Sequence, residues 1–325
     1  MNETSQHNQP MAPAVSVIIP MYNAENYISY CLNKLRQQEL SNIEIICIDD
    51  GSTDHTAEKV LNAAQADPRI RLLRQENAGP GVARNLGMDQ AHGQYIAFLD
   101  ADDEYPNNET LKELYEKAVQ SKLSIVGGSI IVRQPDGRLD DTFEGEFDGQ
   151  QFHSSGPIQY SDYQYDFGFY RFIYSRELIH HNNIRFPELR YFEDPIFMVK
   201  AFWCAGSFFA IEKPTYLYNC THPNVNWKTK TTQVIDIFRG IRENLCFSAE
   251  NHLPRLHWYT ISHFNLFYNQ AVKRGRCYSY KVELAVRAAC QCMNRTLASQ
   301  WRPIAVPFYS GLTRFLTHLM RTFHA

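Results

Sequence analysis

Three short stretches of this chain place acidic side chains where they could hold a cation or move a proton. In "YIAFLDADD" (Tyr95–Asp103) an apolar run ends in Asp100, Asp102 and Asp103, with Glu104 next. Carboxylates two apart in a chain leaving a sheet suit a hard divalent cation, Mg2+ or Mn2+, which takes oxygen ligands and keeps sites for substrate phosphate. The tripeptide DxD is common, and it reads equally as an acidic turn capping the next helix. In "IDDGSTD" (Ile48–Asp54), Asp50 at a strand's carboxyl end can accept hydrogen bonds from a base or ribose. Asp49, Asp50 and Ser52 also suit a turn and cap for the following helix. In "YFEDP" (Tyr191–Pro195), Glu193 and Asp194 follow an aromatic stretch. A carboxylate in apolar surroundings has a raised pKa and can serve as a general base. The same residues read as a helix start, with Asp194 as cap and Pro195 at the first position.

Two further stretches carry weaker signals. In "PMYNAEN" (Pro20–Asn26), Pro20 ends an apolar run and Tyr22 has a ring that can stack on a nucleobase. Asn23 reads as a helix cap. In "GPGVARNLG" (Gly79–Gly87), Arg84 falls one turn into a helix, where it can reach a phosphate or carboxylate. The dinucleotide fingerprint GxGxxG is absent here, which weakens a dehydrogenase reading.

Alternating strands and helices must position these groups. "VSVIIP" (Val15–Pro20) and "IEIICIDD" (Ile43–Asp50) are continuous apolar runs, and "IRLLRQ" (Ile70–Gln75) and the run before Asp100 complete four strands. Helix patterns follow from about Ala24, after Thr53 and from about Gly79. Strands buried on both faces and alternating with helices imply a parallel sheet with helices on both sides. Ligands of such sheets bind at the carboxyl ends of the strands, so the acids of Asp50 and Asp100–Asp103 should share one crevice. Beyond lie a helix (Glu109–Ser121), a strand (Leu123–Arg133), a hairpin turn "PDGR", an irregular aromatic stretch (Phe143–Tyr174), a short helix and a strand (Phe208–His222). Everything past about Thr231 looks helical.

With 325 residues, 44% of them apolar and 21% charged, the chain is an ordinary globular protein with room for a substantial core. Eight cysteines without CxxC or zinc spacing read as reduced thiols of a cytosolic protein. Residues 1–13 read as a polar, disordered lead without signal-peptide features. The longest apolar candidate for a membrane span has 11 residues (Ala201–Ile211), against the roughly 20 needed. Net charge is −3, but residues 251–325 hold ten Lys or Arg against one acid, Glu283. A basic tail suggests an anionic partner. Within it, Tyr309–Ala325 has one apolar helical face, which fits either a helix docked on the catalytic domain or one lying in an anionic membrane interface.

In this order and spacing, "VSVIIPMYN", "IDDGSTD", "GVARNLG", "YIAFLDADD" and "FEDPIF" resemble the successive blocks of the inverting family 2 glycosyltransferases. The resemblance covers about residues 14–220. It implies a GT-A fold, a Rossmann-like, mostly parallel sheet flanked by helices over residues 14–225, with a basic helical extension over 226–325. It gives Pro20, Tyr22 and Asp50 to the nucleotide, Arg84 to the nucleotide or diphosphate, and Asp100 to the ribose or donor sugar. Asp102 would coordinate Mn2+ or Mg2+, Asp194 would be the base, and Glu193 would lie close to the acceptor. "YLYNCTHPN" resembles a further segment in which His222 would touch metal or phosphate; Asn219 stands where that segment often has Arg. The donor implied is a nucleotide sugar, most often of uridine, and the acceptor a glycan or lipid-linked hydroxyl in surface-polysaccharide or lipopolysaccharide synthesis. The location implied is the cytoplasm, with peripheral contact at the inner membrane face; no nucleic-acid partner is expected. Two rivals are weighed. A nucleotidyltransferase would carry a Gly-rich basic loop after the first strand, where this chain has "PMYNAENY". An inactive sugar-binding protein would have no need of Asp100, Asp102 and Asp194 together.

Overall fold

The computed structural model describes residues 12–141, 150–221, 230–274, 277 and 279–302. They fall into two compact units, Met1–Val225 and Asn226–Ala325.

In the first unit β1 (Val15–Met21), α1 (Ile28–Arg36), β2 (Ile43–Asp49), α2 (Thr56–Ala66), β3 (Ile70–Arg74), α3 (Pro80–Asp89), β4 (Tyr95–Phe98) and α4 (Thr110–Ser121) follow in strict alternation. β1, β2 and β4 are apolar on both faces because helices cover both sides, and nearly every residue in them is buried. Each fully buried Ile or Val contributes roughly 1.5–3 kcal/mol relative to exposure. The second half adds β5 (Ile125–Arg133), β6 (Leu139–Asp140), β7 (Gly156–Gln159), α5 (Tyr160–Tyr163), β8 (Phe172–Ser175), α6 (Arg176–His181), α7 (Asp194–Ala205) and β9 (Ser207–Asn219). The sheet order is β3-β2-β1-β4-β8-β5-β9-β7, with β6 paired to β5. β3, β2, β1 and β4 are parallel neighbours, and β5 and β9 are parallel to each other. β8 is antiparallel to both β4 and β5, so β5 regains the direction of β4. The sheet is therefore mostly parallel, as GT-A predicts.

Registers bring the strand ends to one edge. Met21 pairs with Asp49, so β1 and β2 finish together, while β4 stops at Phe98 opposite Ile18, three residues short of them. The Ile18 carbonyl accepts from Leu99 N and the Met21 carbonyl from Asp50 N, so alternate residues of β1 face opposite neighbours. Pro20 therefore turns its missing N–H toward the β4 side, just past the end of β4, where no ladder bond is lost. Gly87 of α3 lies over β1: a Cβ there would sit 2.4 Å from Ile18 Cγ2.

The second unit comprises α8 (Thr231–Glu250), α9 (Pro254–Phe267), a π-helical segment (Tyr268–Arg274), α10 (Tyr280–Gln291) and α11 (Arg295–Ser299). Ser279 caps α10 and Asn294 caps α11 through side-chain oxygens. His257, fully buried, joins α8 to α11: its Nδ1 is 2.7 Å from Ser248 Oγ, and its Nε2 accepts from Asn294 N at 2.7 Å. Ser248 Oγ donates to the Asn244 carbonyl at 2.7 Å, so the imidazole is neutral with its proton on Nδ1. Burial pushes its pKa down to about 4.

Several local expectations are corrected. The first helix begins at Ile28 rather than Ala24, because residues 24–27 form a turn tied to the first residue of α2 by Ala24 N donating to Thr56 Oγ1. Asn23 is not a cap: it sits at φ 50° and accepts from Thr53 N, while its own N–H goes to Ser52 Oγ. The cap position of α7 is Glu193, without a side-chain capping bond, and Asp194 is the first helical residue. The aromatic stretch expected to be irregular contains β7, α5 and β8. The expected helix at Tyr309–Ala325 and residue His222 lie outside the described residues.

Candidate active site

The edge at which β1, β2 and β4 end carries the groups that could bind a donor. Tyr22, immediately after β1, is 54% exposed, so its ring is free of the core. Asp49 and Asp50, adjacent in sequence, do different work. Asp49 is wholly buried, accepts from Ser52 N and pairs with Arg74 Nε at 3.1 Å, which closes the turn and ties β2 to β3. Asp50 gathers the loop after β3: it accepts from Gln75 Nε2 (2.7 Å), Ala78 N (2.8 Å) and Gly79 N (2.9 Å).

The acids after β4 divide in the same way. Asp103 is buried, accepting from Tyr216 Oη at 2.7 Å and from Asn219 N at 2.7 Å. Burial, then the charges of Asp100 and Asp102, hold its pKa well above the ordinary value; the two hydrogen bonds oppose that. Glu104 is buried against Arg133 (2.6 Å) and Lys34 (3.5 Å), with a hydroxyl bond from Tyr30. Its backbone bridges Leu217 of β9 in both directions. Two of the four carboxylates thus anchor the turn, and Asp100 and Asp102 keep surface access: Asp102 is exposed and the Asp100 side chain 28% so. Asn219 donates through Nδ2 to the Asp102 carbonyl at 3.2 Å. The YLYN segment therefore shapes this turn through Tyr216 and Asn219, a role that sequence reading missed. Its signal is two polar groups on one strand set opposite an acidic turn.

Among the described residues no three His, Cys, Asp or Glu cluster as a ready metal cage. Hard divalent cations are usually held by one or two carboxylates with substrate phosphates and water completing the shell. The surface-accessible oxygens of Asp102 and Asp100, on a turn braced by Asp103, fit that requirement.

α3 carries the connection to the third acidic stretch. Gly79 opens it at φ +100°, where a side chain would be strained and would meet Arg190. Arg84 is 95% buried: one terminal nitrogen donates to Asp100 Oδ1 at 2.8 Å and the other to Glu193 Oε1 at 2.9 Å. Its guanidinium lies over Phe169 (4.9 Å) and Phe186 (5.4 Å). Asn85 brackets the Phe186 backbone, donating to its carbonyl (2.9 Å) and accepting its N–H (3.0 Å). Arg190 reaches back to Asn77, donating to its carbonyl at 2.8 Å. Thus "ARN" binds the segment leading into α7. Arg84, expected on a diphosphate, has both terminal nitrogens on carboxylates, and Arg190 beside the Asp50 loop had not been anticipated.

Glu193 is buried and Asp194 half-buried at the start of α7. Desolvation raises the pKa of Glu193, against the opposing charge and hydrogen bond of Arg84. Asp194 is raised well above the ordinary carboxylate value by desolvation first and by Glu193 second, again opposed by Arg84. A partly accessible carboxylate with raised proton affinity has the properties of a general base.

Comparison with known proteins gives the family and the fold. Residues 16–186 match the family model Glycosyl transferase family 2. The chain belongs to that family. A relative, EpsJ of Bacillus subtilis (strain 168), an uncharacterized glycosyltransferase, is 34% identical over 218 residues, covering 66% of this chain and 63% of EpsJ. The succinoglycan biosynthesis protein ExoO of Rhizobium meliloti (strain 1021) is 30% identical over 66% of this chain and 63% of its own length. The chain therefore spans somewhat under two thirds of these relatives. Among solved structures, Staphylococcus aureus TarS 1-349 in complex with UDP superposes with a TM-score of 0.66 at 22% identity, over 87% of this chain and 82% of TarS 1-349. The mannosyltransferase PcManGT of Pyrobaculum calidifontis, in complex with GDP-Man and Mn2+, gives 0.56 at 17% identity, over 97% of this chain and 84% of its own. These likenesses establish the shared fold. Among the described residues no helix is long and apolar enough to cross a membrane.

Proposed function

We propose that this chain is an inverting glycosyltransferase. It moves a sugar from a nucleoside-diphosphate donor, a UDP-sugar first among candidates, to a hydroxyl of a glycan or lipid-linked acceptor in surface-polysaccharide synthesis. The observation that carries the reading is the bridge through Arg84, which holds the donor-edge acid Asp100 and Glu193, the chain neighbour of Asp194, on one side chain. Donor binding and proton abstraction need those two groups beside each other. TarS bound to UDP and UDP-GlcNAc and PcManGT bound to GDP-Man support a nucleotide-sugar donor by likeness of fold.

In this reading Tyr22 stacks on the base, and the loop gathered by Asp50 receives the nucleoside. Asp102, with Asp100 beside it, would hold Mn2+ or Mg2+, which when bound offsets charge on the departing diphosphate. Asp194 accepts the proton of the acceptor hydroxyl. The hydroxyl oxygen forms its bond to the anomeric carbon from the face opposite the diphosphate. The carbon–oxygen bond to the diphosphate breaks, its electron pair leaves with the phosphate oxygen, and the anomeric centre inverts. The test is a panel of nucleotide sugars incubated with Mn2+ and simple glycan acceptors, with the product's anomeric configuration read by NMR. Retention of configuration, or no release of nucleotide from any donor, overturns the reading.

A further inference from the structure

Neighbouring carboxylates drawn out of water do not both ionise easily, since each charge raises the proton affinity of the other. Glu193 and Asp194 are such a pair, and Asp166 adds further negative charge near Asp194. Tyr170, in the Phe169–Arg171 turn, also feels the charge of Asp194. Among the described residues, Arg84 is the cation that opposes the upward shift of Asp194. It stands on α3, reaches Glu193 Oε1 at 2.9 Å, and is itself pinned on its other side by Asp100 at 2.8 Å. Phe169 and Phe186 both pack against the guanidinium, their own ring centroids 5.4 Å apart.

We propose that Arg84 is a positioning residue for the base rather than a ligand of the diphosphate: it neutralises Glu193, so that Asp194 is the member of the pair that exchanges the transferred proton, and it locks that pair to the donor edge through Asp100. This deepens the proposed transferase reading and rests on it for the word base, but the charge relation itself belongs to the protein without substrate. The geometry explains why arginine stands here. A planar fork can give one terminal nitrogen to each of two carboxylates while packing against aromatic rings. A lysine can fully satisfy one of them.

The test is a 13C-carboxyl NMR titration of Asp194 in wild type, Arg84→Gln, Arg84→Lys and Glu193→Gln, with the resonance assigned by its loss in Asp194→Asn. Acid-limb positions of the pH–rate profile are measured in parallel. The proposal expects the Asp194 titration to move up by about one pH unit or more in Arg84→Gln, the usual effect of losing a close opposite charge. It expects a downward move in Glu193→Gln and an intermediate position in Arg84→Lys. The acid limb should move in the same directions. Unmoved titrations, or a shift of the same sign in Arg84→Gln and Glu193→Gln, overturn it. Should Arg84→Gln fail to fold, an unmoved or upward titration in Glu193→Gln overturns it alone. If the titrations move as expected while wild type turns over no donor, the charge relation stands and the transferase reading fails.

Discussion

Asp50→Asn separates a nucleotide contact from a loop anchor. The Asp50 carboxylate, 4% exposed, accepts three hydrogen bonds, two on Oδ1 from Gln75 and Ala78 and one on Oδ2 from Gly79. An asparagine amide has one oxygen. Oriented to keep the Oδ1 pair, it points N–H2 at the Gly79 N–H, two donors face to face. Bonds to a charged acceptor are worth about 1.5–3 kcal/mol and those to a neutral one about 0.5–1.5. One bond lost and two weakened amount to roughly 2–4 kcal/mol. For a unit of this size, about 2–4 °C per kcal/mol places the fall in Tm at roughly 5–15 °C. Urea unfolding followed by circular dichroism measures the stability, and isothermal titration with UDP measures binding. Both should weaken, because the loop that receives the nucleoside opens. An unchanged unfolding midpoint would refute the anchoring role, whatever happens to UDP.

Asp194→Asn should lower transfer about 10²–10⁴-fold, the usual worth of a general base. It should also raise stability at pH 7–8. A carboxyl whose folded pKa is raised contributes stability below its unfolded value of about 4 and loses it as pH rises through the folded value. Paired thermal melts at pH 7.5 and pH 4 check this: a gain at both, or at neither, contradicts it. Asp102→Asn should abolish metal-dependent donor turnover with an unchanged circular dichroism spectrum, since the side chain is exposed; full activity, or wild-type activity in EDTA, removes the metal assignment. His257 has the opposite linkage, its folded pKa lying at about 4. The second unit should keep full stability above about pH 6.5 and lose about 3 kcal/mol as pH falls toward 4. In His257→Asn that pH dependence should be reduced by the His257 share, leaving the part carried by His263, whose pKa burial also pushes down to about 4, as read from urea midpoints across the window.

The parallel half of the sheet was legible because β1, β2 and β4 are buried on both faces, which leaves mainly apolar runs, broken by Ser16 and Glu44, that end near Asp50 and Asp100. β8 was not. Its four residues, "FIYS", look like the aromatic text around them, and only pairing with Ile96 and Val126, far away in sequence, makes them a strand. Arg171 was equally hidden. A charged residue suggests a surface, yet it is wholly buried between Phe152 and Phe172, donating to the Gly128 and Gln150 carbonyls. At the site, residue types pointed to Asp100, Asp102, Asp194 and Arg84. Their partners could not be read, because the Arg84–Glu193 contact spans 109 residues. The division of neighbouring acids into anchors and surface groups likewise depends on Tyr216 and Asn219 arriving from β9. The presence of α1 was legible, but its start at Ile28 rather than about Ala24 was set by the tertiary bond from Ala24 to Thr56.

The most direct measurement is release of nucleoside diphosphate from a panel of nucleotide sugars with Mn2+ and glycan acceptors, by wild type and Asp194→Asn side by side. The account predicts at least one donor consumed by wild type in an acceptor-dependent reaction. It predicts the same nucleotide bound by the variant with turnover down at least 100-fold, the lower bound for a lost general base. Equal turnover by the two proteins, or binding of UDP without consumption of any donor, would contradict it.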